Sequence, residues 1–274
     1  MNDSQTSAAG LGNEDVLVEM RGNVMLVTIN RPDARNAVNE AVCLGVGDAL
    51  TAADEDPEVR VVVLTGAGDK AFCAGADLKA IMRGERIIPE GEERKKWGLA
   101  GFVGHYISKP TIAAVNGAAM GGGTEIALAS DFIVAADTSS FGLPEVKRGL
   151  VAGAGGAFRI VQQLPQRVGL EVLLTGDALP ATKALEYGLV NRVVPADQVL
   201  DTALELAQKI AANAPLSVRA SKRIALGYQG AGRPSEDALW EATTRESAVT
   251  HGTEDAKEGP LAFAEKREPV WKGR

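Results

Sequence analysis

Short apolar runs that each break at a glycine-rich turn constrain this chain more than any other feature. Arg60 to Thr65 forms an apolar run that ends at Gly66-Ala67-Gly68-Asp69. Thr111 to Val115 feeds Asn116-Gly117-Ala118-Ala119-Met120-Gly121-Gly122-Gly123, and Thr124 to Ala129 suits a helix directly after it. Phe132 to Ala135 is a further run, and Ser139 to Phe141 is a short one before Pro144. Continuous apolar strands of this kind are buried on both faces, as in parallel sheets. Strand, glycine turn and helix in alternation predict an α/β fold built from βα units.

The flanking segments complete the outline. Val16–Glu19 and Val24–Ile29 alternate and predict a hairpin around Arg21-Gly22-Asn23. Val42, Leu44, Val46, Leu50 and Ala53 recur at helical spacing over 39–54, with Asn39 as the cap. Leu78 to Met82 reads as helical, and the charged stretch Arg83 to Lys96 as a mobile surface segment or a solvated helix face. After Pro195 the pattern turns helical, over 196–212, 215–226, 235–249 and 253–266. The predicted division is a disordered tail over 1–14, a core over 15–195 and a helical region over 196–274. The tail lacks the basic start and apolar run of a signal peptide, and no run of about 20 apolar residues predicts a transmembrane helix.

Composition excludes several function classes. The 274 residues carry a net charge of −7, which argues against a strongly basic nucleic-acid footprint. Aromatic residues make up 4%, too few for a base-stacking platform. Cys43 and Cys73 are the only cysteines, so a reduced, cytoplasmic setting is expected. With two histidines, His105 and His251, no His-rich metal site is expected. P-loop, zincin and nucleophile-elbow motifs are absent from the sequence. Gly153-Ala154-Gly155-Gly156 falls short of a dinucleotide fingerprint and suggests packing or substrate approach instead.

Two glycine segments, each followed by an acid, carry the candidate chemistry. These are Ala74-Gly75-Ala76-Asp77-Leu78 and the Asn116 to Glu125 segment. Small residues leave backbone N–H groups open to close approach. Ala76 and Gly122 are thus candidate oxyanion donors, Gly122 at a helix start where amides lack partners. Glu125, one turn into that helix, and Glu145, after Leu143-Pro144, are a candidate proton-transfer pair. Turn glycines and a helix-start acid are the plainer reading of each residue taken alone.

Together these motifs resemble the crotonase, or enoyl-CoA hydratase/isomerase, superfamily. The resemblance runs from about Val16 to the C-terminus through Asn30-Arg31-Pro32, Asn36-Ala37, Ala71 to Leu78, Asn116 to Glu125 and Phe141-Gly142-Leu143-Pro144-Glu145. Gly149-Leu150 through Gly156, Leu174-Thr175-Gly176 and Gly188-Leu189-Val190 continue it. It implies a spiral of βββα repeats with a C-terminal helical trimerisation region. It implies an acyl-CoA substrate and a homotrimer or a hexamer of paired trimers, with no metal or redox cofactor and no nucleic-acid or membrane partner. By the same resemblance, Glu125 and Glu145 are the catalytic acids and Ala76 and Gly122 the oxyanion hole. Arg35, Ala37, Ala74, Asp77, Leu78, Gly121, Pro144 and Gly153 fall at substrate or CoA positions. Phe263 and Lys266 match positions that complete the CoA site of a neighbouring subunit. The implied reaction is syn hydration of a 2-enoyl-CoA in fatty acid metabolism. Leu143 to Val151 is worded closer to the carnitinyl-CoA dehydratase-like branch, which keeps that activity and enoyl-CoA isomerisation as alternatives. An RNA-binding, non-enzymatic protein of the same fold is a remote one.

Overall fold

The computed structural model describes residues 6–7 and 10–274. Strand β1 (Thr6–Ser7) pairs antiparallel with β2 (Val16–Arg21), and β2 forms the expected hairpin with β3 (Val24–Ile29). Helix α1 (Glu40–Glu55) starts at Asn39, whose side chain accepts the Val42 N–H. The chain then winds as a spiral. Each turn lays one strand in a large sheet, then one in a small sheet, and then enters a helix or helical turn. The first turn is β4 (Val61–Gly66), β5 (Ala71–Cys73) and α2 (Leu78–Met82), with the short α3 (Glu92–Lys96) after it. The second is β6 (Thr111–Val115), β7 (Ala118–Met120) and α4 (Gly122–Ala129). The third is β8 (Phe132–Ala136) and β9 (Ser140–Gly142), followed by a 3-10 turn at Pro144–Arg148 and by α5 (Gly156–Gln163). Helix α6 (Gln166–Thr175), β10 (Leu179–Pro180), α7 (Ala181–Glu186) and β11 (Arg192–Val194) close the spiral.

The large sheet has the order β1-β2-β3-β4-β6-β8-β11, parallel from β3 onward. The small sheet has the order β10-β9-β7-β5. Alternation along the strands splits the core in two. Val24, Leu26, Val61, Val63, Ile112, Ala114, Val134 and Ala136 face α8 (Val199–Ala211), which answers with Val199, Ala203, Ala207 and Ala211 at four-residue steps. Met25, Val27, Ile29, Val62, Leu64, Ala113 and Val115 face α1 and the small sheet. Helix α8, grouped in the sequence with the helical region beyond 195, is therefore a layer of the sheet. The helices α9 (Pro215–Leu226), α10 (Pro234–His251) and α11 (Asp255–Glu265) follow.

Of the tail expected over 1–14, residues 1–5 and 8–9 lie outside the described residues, and parts of the rest pair with the hairpin. Thr6 and Ser7 extend the sheet edge, and Asn13 exchanges backbone hydrogen bonds with Val16. The open backbone edge of β2 supplies partners that a composition-based reading does not register. The charged stretch 83–96 forms only the exposed α3. It ends at Trp97, which packs over Gly47 and stacks on His105 with ring centroids 5.0 Å apart. No helix among the described residues is long and apolar enough to cross a membrane.

Candidate active site

The spiral brings the two glycine segments together. Gly75, at φ 86°, and Gly121, at φ 53°, occupy backbone conformations that favour glycine. A Cβ on Gly75 would lie 2.8 Å from the Gly122 nitrogen, and one on Gly122 would lie 3.1 Å from the Gly75 Cα and 3.6 Å from the Ala76 nitrogen. The amides of Ala76 and Gly122 are thus near neighbours, although 46 positions separate them in sequence. Among the described residues, neither N–H is matched to an acceptor. Gly122 opens α4, so its amide also stands at the positive end of the helix. The Leu99 side chain covers Gly122 so closely that a Cβ there would collide with it. Beneath this pair, Cys73 is buried, and its Sγ accepts the Gly75 N–H at 3.4 Å.

Glu125 and Glu145 flank the same turn. Glu125 is 3% exposed, and its Oε1 accepts the N–H groups of Ala154 (2.7 Å) and Gly156 (2.9 Å). Gly156 must lack a side chain, because a Cβ would sit 2.8 Å from the Glu125 Cγ. Glu145 enters from the 3-10 turn that Pro144 starts. Its Oε1 lies against Gly121, where a Cβ would approach to 2.9 Å. Its Oε2 is buried with no hydrogen-bond partner among the described residues.

Both carboxyls resist ionisation. Burial, followed by the Glu145 charge, pushes Glu125 up to about 8 against the pull of the Gly156 and Ala154 amides. Burial pushes Glu145 up to about 7 against the pull of its own backbone amide. Two such acids near neutrality favour states in which one carries a proton and the other does not, which is the condition for taking a proton at one point and giving it at another.

The remaining predicted positions divide into groups. Arg35, Ala37, Ala74, Asp77 and Leu78 come together, because residues 35–38 run alongside 74–77. The Ala74 N–H donates to Arg35 O, Val38 N–H to Gly75 O and Asp77 N–H to Val38 O. Arg35 and Ala74 are exposed on this strip. The Asp77 carboxylate is already engaged: it caps α2 through Lys79 and Ala80 and pairs with Arg31 at 3.1 Å. Burial tends to raise its pKa, but these hydrogen bonds win and hold it below the usual carboxylate range. Gly153 borders a cavity of about 630 Å³ beside the Glu125 loop, lined by Leu99, Phe102, Ala154 and Trp240 among others. Phe263 and Lys266 lie at the end of α11, which packs on the chain's own turn at Pro144–Arg148. There the Arg148 guanidinium sits 3.9 Å from the Phe263 ring centroid.

Sequence reading missed the partners of Glu125. The Gly153 to Gly156 run is legible as a tight loop, but not as the pair of amides that grips a carboxyl. Leu99 over Gly122, and Arg159 behind Gly155, gave no signal, because their roles arise only from packing.

The chain is similar to proteins of known name over nearly its whole length. A family profile described as enoyl-CoA hydratase/isomerase matches residues 19–274. The carnitinyl-CoA dehydratase of Escherichia coli is 43% identical over 271 residues, spanning 95% of this chain and 99% of its own. The solved structure of carnitinyl-CoA hydratase from Mycobacterium avium is 61% identical with a TM-score of 0.93, covering 96% of this chain and 100% of its own. An enoyl-CoA hydratase structure from Mycobacterium tuberculosis gives 46% identity and a TM-score of 0.74 over the same shares.

Proposed function

The chain belongs to the enoyl-CoA hydratase/isomerase family, and from that premise we propose that it adds water reversibly and syn across the C2–C3 double bond of a 2-enoyl-CoA. The product is the 3-hydroxyacyl-CoA. One observation carries this reading: two buried carboxyls flank a turn at which two amides from separate segments lie side by side.

In the proposed reaction, the reactive form of the coupled pair keeps its shared proton on Glu145 and leaves Glu125 ionised, and Glu125 takes a proton from water as the water oxygen bonds to C3. The double-bond electrons move onto the thioester oxygen. The Ala76 and Gly122 N–H groups stabilise the resulting enolate. Glu145 then gives its proton to C2, and the carbonyl re-forms. Gly121 and Pro144 serve by letting Glu145 reach the turn. The strip of Arg35, Ala37, Ala74, Asp77 and Leu78 holds the CoA moiety, with Asp77 contributing backbone because its carboxylate is taken. Gly153 borders the acyl group, and Phe263 and Lys266 complete the CoA site of a neighbouring subunit. The scheme uses no metal or redox cofactor. The assembly is a homotrimer or a pair of trimers, acting in the cytoplasm.

A second reading uses the same parts in the dehydrating direction, on carnitinyl-CoA. The names of the relatives at 43% and 61% identity favour it. One assay separates the two. Purified protein is given crotonyl-CoA, longer and branched enoyl-CoAs, and crotonobetainyl-CoA, and the loss of enoyl absorbance is followed. Turnover confined to crotonobetainyl-CoA selects the second reading. Activity with a β,γ-enoyl substrate alone selects isomerisation. Normal turnover by Glu125→Gln or Glu145→Gln overturns the role given to that residue.

A further inference from the structure

Behind the loop that holds Glu125 lies a buried cation that the hydration scheme does not use. Arg159 has a side chain 7% exposed. Its Nη1 donates to Val103 O at 2.9 Å and its Nη2 to Glu236 Oε2 at 2.8 Å. Its backbone N–H donates to Gly155 O at 3.0 Å. A Cβ on Gly155 would lie 3.0 Å from Arg159 Nη1 and 3.1 Å from the edge of the Trp240 ring. Gly155 stands between Ala154 and Gly156, the two residues whose amides grip Glu125.

Three segments therefore meet on one guanidinium: the 99–105 stretch whose Leu99 covers Gly122, the Glu125 loop, and α10, which supplies Glu236 and Trp240. Phe158 and Trp240 flank the guanidinium at 5.4 and 5.3 Å. Arg233 takes the other oxygen of Glu236 at 2.7 Å. A buried pair of this kind is a poor source of net stability. It is an effective way to hold a charge at a fixed place, where a titrating carboxyl feels it.

We propose that Arg159 is a positioning residue through which α10 sets the placement and charge state of Glu125, so that docking of the C-terminal helices is a condition for proton transfer. The proposal rests on Glu125 being a proton-transfer group of the hydration reaction. The charged and titratable groups facing Glu125 are Glu145 from the turn after β9 and Arg159 from α5. Glu236 and Arg233 from α10 stand behind Arg159. The Cys73 thiol beneath α4 is neutral, pushed up to about 12 by burial.

The signs follow from charge. Arg159 favours the ionised form of Glu125. Removing it by Arg159→Met moves the acid limb of the rate profile to higher pH. Removing the compensating charge by Glu236→Gln leaves Arg159 less neutralised and moves that limb to lower pH. Each shift is expected to be about half a pH unit, with Arg159→Lys lying between Met and wild type. The limb belongs to the coupled pair of glutamates, so the direction of displacement is the readout.

The test is the pH dependence of kcat for hydration of crotonyl-CoA by Arg159→Met, Arg159→Lys, Glu236→Gln and Glu125→Gln, with folding followed by circular dichroism. Opposite displacements in the Arg159 and Glu236 variants support the proposal. A folded Glu236→Gln enzyme with an unmoved limb overturns it, even if Arg159→Met does not fold. If Glu125→Gln is inactive and the limbs stay put, this proposal fails and the hydration reading stands. If Glu125→Gln turns over normally, both fall.

Discussion

At Glu125, opposing influences meet on one carboxyl. Burial and the Glu145 charge favour the protonated form, while two amides favour the ionised one, and burial wins. The consequence for stability has a definite sign. In the unfolded chain both acids return to the ordinary range, so the folded state holds protons that the unfolded state releases. The stability from this source is complete below about pH 4, the unfolded glutamate range. It is lost as pH rises through about 7 for Glu145 and about 8 for Glu125. The melting temperature should therefore fall from about pH 5 to about pH 8 and level off above it, and Glu125→Gln should flatten that fall. A wild-type melting temperature that rises over this range would contradict the burial argument. For turnover, each single Gln substitution at Glu125 or Glu145 should cost about 10²- to 10⁴-fold in kcat, read in the enoyl absorbance assay. Gly122→Ala should cost about 10²-fold or more, because the new methyl collides with Leu99 and displaces the amide.

Elements were legible where local rules fix them. Asn39 announces α1, and the observed cap is the one its side chain suits. Asn39→Ala should lower stability by about 1 kcal/mol in urea unfolding and leave turnover unchanged. The β2–β3 hairpin, β4, β6 and β8 follow from apolar runs that the structure places as predicted. Of the three-residue strands, β9 is marked by the Ser139 to Phe141 run, whereas β5 and β7 are too short for a period to show. Yet all three carry the site, because they deliver Gly75, Gly121 and Glu145 to one place. The glycine motifs located both halves of the oxyanion pair, but only the parallel register of β5 on β7 makes them neighbours. Side-chain neighbours from distant segments, such as Leu99, Ala154 and Arg159, follow from three-dimensional packing and leave no local pattern to read.

Across the whole molecule, the surface is uneven. Helix α9 buries none of its residues fully, and it exposes Leu216 at 74% and Ile224 at 82%. Between α9 and the starts of β6 and β8 lies a cavity of about 790 Å³, where Pro110, Leu128, Phe132, Val218 and Leu226 stand among polar side chains such as Gln163, Ser221 and Lys222. Large apolar side chains exposed on one helix face are unfavourable in water and favourable in a subunit contact. That is the physical case for the proposed homotrimer or paired trimers, and it ties assembly to the helices on which the Glu125 loop rests. Sedimentation of the purified chain should give three or six copies. Ile224→Glu places a charge on this exposed face of α9, where burial in a subunit contact without a partner is unfavourable. It should shift the chain towards monomer at micromolar concentration. If α10 depends on those contacts for its docking, turnover should fall with dilution in parallel with the loss of the assembly. A monomeric Ile224→Glu protein with full turnover would separate assembly from catalysis and leave α10 held by Arg159, Glu236 and Trp240 within one chain.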